Sequence, residues 1–155
     1  PTIRSRCISF AVAPVSPEDC ARYCTAQGVG AKDAALYSAL FDGHIGTVLA
    51  AARDEARREQ VDRALALAKA AAARDSYAAA VLLAAYEKDK AGASALLADF
   101  RAVAAAGLRD SSYSPVEGET ARKALGAADA AMQQISAQVN PKIVLSVLAA
   151  KFRTF

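Results

Sequence analysis

The chain has 155 residues, a mass of 16.0 kDa and a formal net charge of +3, a length that suits one domain or two small ones. Its 19 cationic and 16 anionic side chains are spread along the sequence, so the charge does not indicate a nucleic-acid-binding block. Neither a signal peptide nor an uninterrupted run of 18 apolar residues is visible, and three cysteines lack the paired spacing of a disulfide or zinc framework. We therefore expect a reducing, cytoplasmic setting without a membrane.

The first element in chain order is a short strand predicted over residues 7 to 12, where apolar residues alternate. It has no partner strand in this sequence. Arg4 and Arg6 precede it, and a guanidinium held at the start of a strand is suited to phosphate oxygens, although two solvated charges are the simpler interpretation. The chain opens at Pro1 without a methionine, and we expect it to be part of a longer protein.

Three short helices are predicted next. Ser16 and Pro17 give the first its N-cap and first helical residue, and Gly28 ends it. The second is predicted over residues 31 to 41, and the third begins near residue 44. The sequence then changes to longer, alanine-rich helices with a charged start, and we place a domain boundary near residues 52 to 55.

Alanine occupies 41 of the 155 positions, and because it is the best helix former, the rest of the chain is predicted to be helical. Breaks are predicted at Asp75 or Ser76, between residues 88 and 91, at residues 111 to 115 and at Asn140. The five longer helices are predicted over residues 56–73, 76–88, 91–110, 117–138 and 141–153. One helical face is especially clear and must pack against something; it consists of Ala121, Leu125, Ala128, Met132, Ile135 and Val139. The predicted class is all-α, with one short N-terminal strand.

Few side chains indicate a catalytic or metal-binding role. His44 is the only histidine, and without a second ligand nearby it is predicted to cap a helix or lie on the surface. Cys20 and Cys24 are one helical turn apart and are predicted to be small buried hydrophobic residues. No catalytic triad, carboxylate dyad or metal site is indicated. The cations along the longer helices are predicted to lie on solvated faces; examples are Arg57, Arg58, Lys69 and Lys88.

Three stretches, "PTIRSRC", "FDGHIGTVLAAARDE" and "AQVNPKIVLSVLAAKFR", together resemble the bacterial DNA polymerase III clamp-loader subunits, and in particular those of the delta-prime type. The resemblance extends over essentially the whole chain and is strongest at Pro1, Thr2, Ser5, Arg6 and Cys7. The final helix departs from the family pattern because its second asparagine is missing.

The resemblance implies an architecture and a role. Residues 1–13 would be the tail of an AAA+ nucleotide-binding domain, residues 14–53 a three-helix lid, and residues 54–155 a five-helix collar through which subunits assemble into a pentameric ring. The chain would belong to the DNA polymerase III holoenzyme without being an enzyme on its own. Its partners would be gamma/tau-like and delta-like loader subunits and, through the complex, the sliding clamp and primed DNA.

The resemblance also assigns residues. Arg6 would be an arginine finger directed at ATP and Mg²⁺ bound by the neighbouring subunit, Ser5 and Cys7 would hold its backbone, and Arg4 is a weaker candidate for the same region. No cofactor would be bound by these residues themselves. Gly46 stands where ATP-hydrolysing members carry a lid arginine, which implies a subunit that does not hydrolyse ATP. An ATP-hydrolysing motor subunit and a plain helical interaction scaffold are the alternatives.

Overall fold

A computed structural model describes residues 13–155, and within them the chain is all-helical, with no strand. This confirms the predicted all-α class. The predicted strand at residues 7–12 lies outside the described residues. Eight α-helices follow one another in this part of the chain: α1 Pro17–Ala26, α2 Ala31–Leu40, α3 Ile45–Arg53, α4 Glu55–Ala72, α5 Ser76–Ala84, α6 Lys90–Arg109, α7 Gly118–Ser136 and α8 Pro141–Lys151.

Polar side chains cap several of these helices, and the sequence predicts the cap of the first one. The hydroxyl oxygen of Ser16 accepts from the backbone N–H of Asp19, and Pro17 is the first residue of α1. Asp75 caps α5, and Asn140 caps α8 ahead of Pro141. Each cap satisfies backbone donors that have no partner within the first turn of the helix.

Helix α5 is shorter than its sequence predicts, because it ends at Ala84 rather than near residue 88. The chain turns at this point and carries Tyr86 into the core, where only 9% of it is exposed. The Tyr86 hydroxyl accepts a hydrogen bond from Arg63 at 3.0 Å. Asp89 then caps α6 through the N–H of Gly92, so a buried aromatic residue and a new cap together end α5 early.

Helix α6 is the central element of the larger part of the molecule. It packs most extensively against α7 and also contacts α4 and the C-terminal part of α2, while α5 packs against α8. Alanines form many of the contacts between helices. The ring centroids of Phe100 on α6 and of Phe152 are 5.8 Å apart. Short alanine side chains let helix backbones approach closely, so a chain with few aromatic residues still builds a dense core.

The predicted boundary near residue 53 falls at Asp54, which is the only residue between α3 and α4. Three short helices precede it and five follow it. Buried residues from both sides belong to one connected core, which includes Val48 and Ala51 of α3 and Val61 of α4. The assignment of these parts as lid and collar therefore stays a prediction.

Candidate interaction surface

The residues predicted to act at a bound phosphate are Arg4, Ser5, Arg6 and Cys7. All four lie outside the described residues. The described part of the chain begins at Ala13 and runs along the start of α3. There, residues 13–15 and 43–47 line an open hollow of about 380 Å³.

Gly43 allows the segment before α1 to pack closely against the connection between α2 and α3. Its φ is +72°, and a β-carbon added to it would lie 1.8 Å from the carbonyl oxygen of Val15. A side chain at this position would therefore be both conformationally strained and in collision with the backbone. Gly43 thus sets the position at which the segment before α1 meets the α2 to α3 connection.

Gly46 lies in the same hollow, at the second residue of α3. A β-carbon added there would meet no atom of the described residues within 4 Å, so their packing does not require a glycine. The described residues leave open space at this position, and its match to a lid arginine stays a prediction.

His44 lies on the surface beside Gly43 and precedes the first residue of α3 without a side-chain capping bond. Its Nδ1 is 2.7 Å from the carbonyl oxygen of Phe41. The surface position is the one predicted. Among residues 13–155 no cluster of three metal-ligating side chains occurs.

Cys20 and Cys24 are fully buried, free thiols on one face of α1, which confirms the prediction of small buried hydrophobic residues. Burial, followed in importance by the charge of Cys20, raises the pKa of the Cys24 thiol above its ordinary value of 9.0. A thiol held in its protonated form is a poor nucleophile. Both side chains are also fully enclosed, so neither thiol is accessible to a substrate.

Arg57 corrects one of the sequence predictions, because it is not on a solvated face. Its two terminal nitrogens donate to the two carboxylate oxygens of Asp99 on α6, with the Nη2 to Oδ1 distance at 2.6 Å. Only 5% of Asp99 is exposed. The spacing of charges along α4 could not reveal this pairing, because Asp99 is 42 residues away and reaches Arg57 only in the folded molecule.

The strongest functional candidate is an apolar face formed by α5 and α8, which the sequence did not single out. The large exposed residues on it are Tyr77 and Val81 of α5, with 79% and 57% of their surface exposed, and Ile143 and Val147 of α8, with 58% and 46%. Each pair is spaced by four residues, so each lies along the outer side of its helix. We call these four residues and the small side chains between them the α5/α8 face.

Among the described residues that line the groove between α5 and α8, Glu87 is the one with a charged side chain. Between the two helices lies a dimple of about 60 Å³, and its lining includes Ala80, Ala84 and Ser146. One end is marked by an ion pair in which Lys142 Nζ is 3.3 Å from a carboxylate oxygen of Glu87. An apolar strip with a charged end is typical of a surface that another protein covers.

Helix α6 is the one described helix that is long and apolar enough to cross a membrane by length and composition alone. Half of its most apolar segment is buried inside the molecule. It also carries Asp99, which is paired with Arg57. These features describe the core helix of a helical bundle.

Comparison with known proteins gives no assignment, since no protein-family model, no curated protein and no solved structure matches the chain.

Proposed function

We propose that the chain is part of a non-hydrolysing subunit of a bacterial DNA polymerase III clamp loader, of the delta-prime type, and that it joins its neighbours through the α5/α8 face. The observation that carries the proposal is this exposed apolar face on two packed helices. Burying apolar surface of this kind stabilises a complex by roughly 25 cal/mol for each Å² removed from water. The order of three short and five further helices supports the same assignment.

Within the loader, this subunit stimulates ATP hydrolysis on a neighbour. The family resemblance gives Arg6 that role, with Ser5 and Cys7 beside it in the sequence. Phosphoryl transfer depends mainly on positioned positive charge, and an arginine finger accelerates it by roughly 10³ to 10⁵ in other enzymes. ATP and Mg²⁺ belong to the neighbouring subunit, and the assembled ring loads the sliding clamp onto primed DNA.

The open space at Gly46 supports a subunit that does not hydrolyse ATP itself. Nothing at this position extends into the hollow formed by residues 13–15 and 43–47. Among the described residues that line the hollow, only His44 has an ionisable side chain. A subunit with this surface has no arginine there with which to hold its own nucleotide.

The first test concerns assembly. Val81→Asp combined with Val147→Asp would place two charges on the α5/α8 face, and we expect the full-length protein to lose its complex with the other loader subunits on a sizing column. Tyr23→Asp, at an exposed residue of α1, serves as the control and should keep the complex. If the double variant assembles like the wild type, the α5/α8 face is not the interface.

The second test concerns Arg6. Arg6→Ala should leave assembly intact and lower the DNA-stimulated ATPase of the reconstituted loader, because charge on the transferred phosphate is no longer compensated. Arg4→Ala is the matched control and should have the smaller effect. Unchanged turnover in Arg6→Ala would remove the finger assignment.

The two alternatives give different results in the same experiments. An ATP-hydrolysing motor subunit would bind nucleotide as the isolated full-length protein. A helical scaffold with no role in replication would form no complex with the loader subunits, whatever the state of the α5/α8 face.

A further inference from the structure

The three short helices are joined to the five that follow by very little chain. Arg53 ends α3, Glu55 begins α4, and Asp54 between them is extended, with φ −101° and ψ 117°. The Asp54 carboxylate accepts from the N–H of Ala56 at 3.0 Å, so it is committed to capping α4. One extended residue does not by itself fix the orientation of two groups of helices, and the apolar contacts between α3 and α4 lie on the two helices that it joins.

Packing between the two groups is incomplete on one side. An open cleft of about 340 Å³ separates α1 and α2 from the C-terminal end of α6 and the turn after it. Alanines make up much of its lining, and they are too short to close it. The lining residues that matter here are Ala21, Ala35, Ala39, Ala106 and Tyr113.

Arg57 of α4 contacts the C-terminal end of α2, which belongs to the other group of helices. Its guanidinium carbon lies 5.3 Å from the centroid of the Phe41 ring, and Phe41 is the C-cap residue that directly follows α2. The same guanidinium is held in a two-pronged ion pair with Asp99. A planar cation fixed at both nitrogens keeps its face against the aromatic ring, so three elements meet at one side chain.

Arg109, near the end of α6, contacts the same end of α2. Its Nη2 donates to the carbonyl oxygen of Ala39 at 2.9 Å, and its Nε is 3.6 Å from the Asp42 carboxylate. The last carbonyls of a helix have no partner within the helix and favour a nearby cation. The Arg109 side chain is 42% exposed, so solvent weakens this contact relative to that of Arg57.

We propose that Arg57 and Arg109 form an arginine latch that fixes the orientation of α1–α3 relative to α4–α8 about Asp54, with Arg57 the dominant member. The latch acts at Phe41 and Asp42, and the next residue, Gly43, packs against Val15. It therefore also fixes where the segment before α1 lies relative to the bundle. This inference concerns the fold and stands whether or not the chain belongs to a clamp loader.

The test must separate orientation from stability. Removing Arg57 alone leaves Asp99 buried without a counter-ion, which destabilises the fold for an unrelated reason. Replacing both partners with apolar residues, as in Arg57→Met with Asp99→Leu, removes the directional contacts and keeps the core filled. Buried ion pairs replaced in this way often lose no stability.

Residual dipolar couplings of backbone amides report orientation directly. In the wild-type chain, α1–α3 and α4–α8 should fit one alignment tensor. In the double variant they should require two, while thermal unfolding shows that the protein is folded. The control is Arg101→Met with Asp129→Leu, which removes an exposed ion pair between α6 and α7 and should keep a single tensor.

A second variant keeps the inference testable if the double variant does not fold. Arg57→Lys retains the charge and loses the two-pronged geometry, and we expect it also to require two tensors. The latch is overturned if a folded variant of either kind fits a single tensor with the wild-type orientation.

Discussion

Ser38 is fully buried in α2, and among the described residues its hydroxyl has no hydrogen-bond partner. A buried polar group without a partner costs about 1 to 3 kcal/mol. Ser38→Ala should therefore raise the free energy of unfolding by about 1 kcal/mol, measured by urea titration. Ser94→Ala is the control, because that hydroxyl donates to the Lys90 carbonyl at 2.9 Å and its removal should not stabilise. A clear loss of stability in Ser38→Ala would contradict the unpaired state.

Burial raises the pKa of the Cys24 thiol, so the folded chain keeps this proton at a pH where the unfolded chain loses it. The resulting stabilisation is complete below the ordinary thiol value of 9.0 and is lost as the pH rises from there through the raised pKa. The pKa of Tyr37 is also raised from 10.0 by burial, which adds a second loss of folding stability at higher pH.

Cys24→Ala should consequently lose less stability than the wild type between about pH 8 and about pH 10. Urea unfolding at the two pH values gives the comparison, and the Tyr37 contribution remains in both proteins. An equal loss in the two proteins would show that the Cys24 thiol does not titrate as its burial requires.

At the scale of an element, α5 depends on its cap because it has only nine residues. Asp75 accepts from the N–H groups of Tyr77 and Ala78 at 3.0 Å and 2.9 Å. Asp75→Ala should lower the free energy of unfolding by about 1 kcal/mol and speed hydrogen exchange at the start of α5. Asp75→Asn keeps an acceptor and should lose much less. Equal losses in the two variants would mean that the cap contributes nothing.

Helix α7 shows how far an apolar stripe predicts packing. Ala121, Ala128 and Ile135 are buried as predicted, but Val139 is 39% exposed. The reason is that α7 ends at Ser136 and Gln138 adopts a φ of +66°, which takes Val139 off the helical face. The buried surface is also wider than the stripe, because α6, α4 and α8 all contact α7; the additional buried residues are Ala124, Ala127 and Ala131.

At the scale of the whole molecule, one connected core joins both groups of helices. We therefore expect a single cooperative unfolding transition. Hydrogen exchange during urea titration should give the same midpoint for α2 and for α6. Two separate midpoints would instead show that residues 14–53 and 54–155 unfold as independent units.

The sequence by itself determined the helical class, most helix bounds, the cap at Ser16 and the breaks at Asp75 and Asn140, because these depend on contacts within a few residues. It also identified Cys20 and Cys24 as buried. Only the tertiary structure decided that Arg57 pairs with Asp99 and that α5 and α8 together leave an apolar face exposed. Both depend on residues far apart in the chain, and whether a helical face is covered is a property of its neighbours rather than of its own spacing.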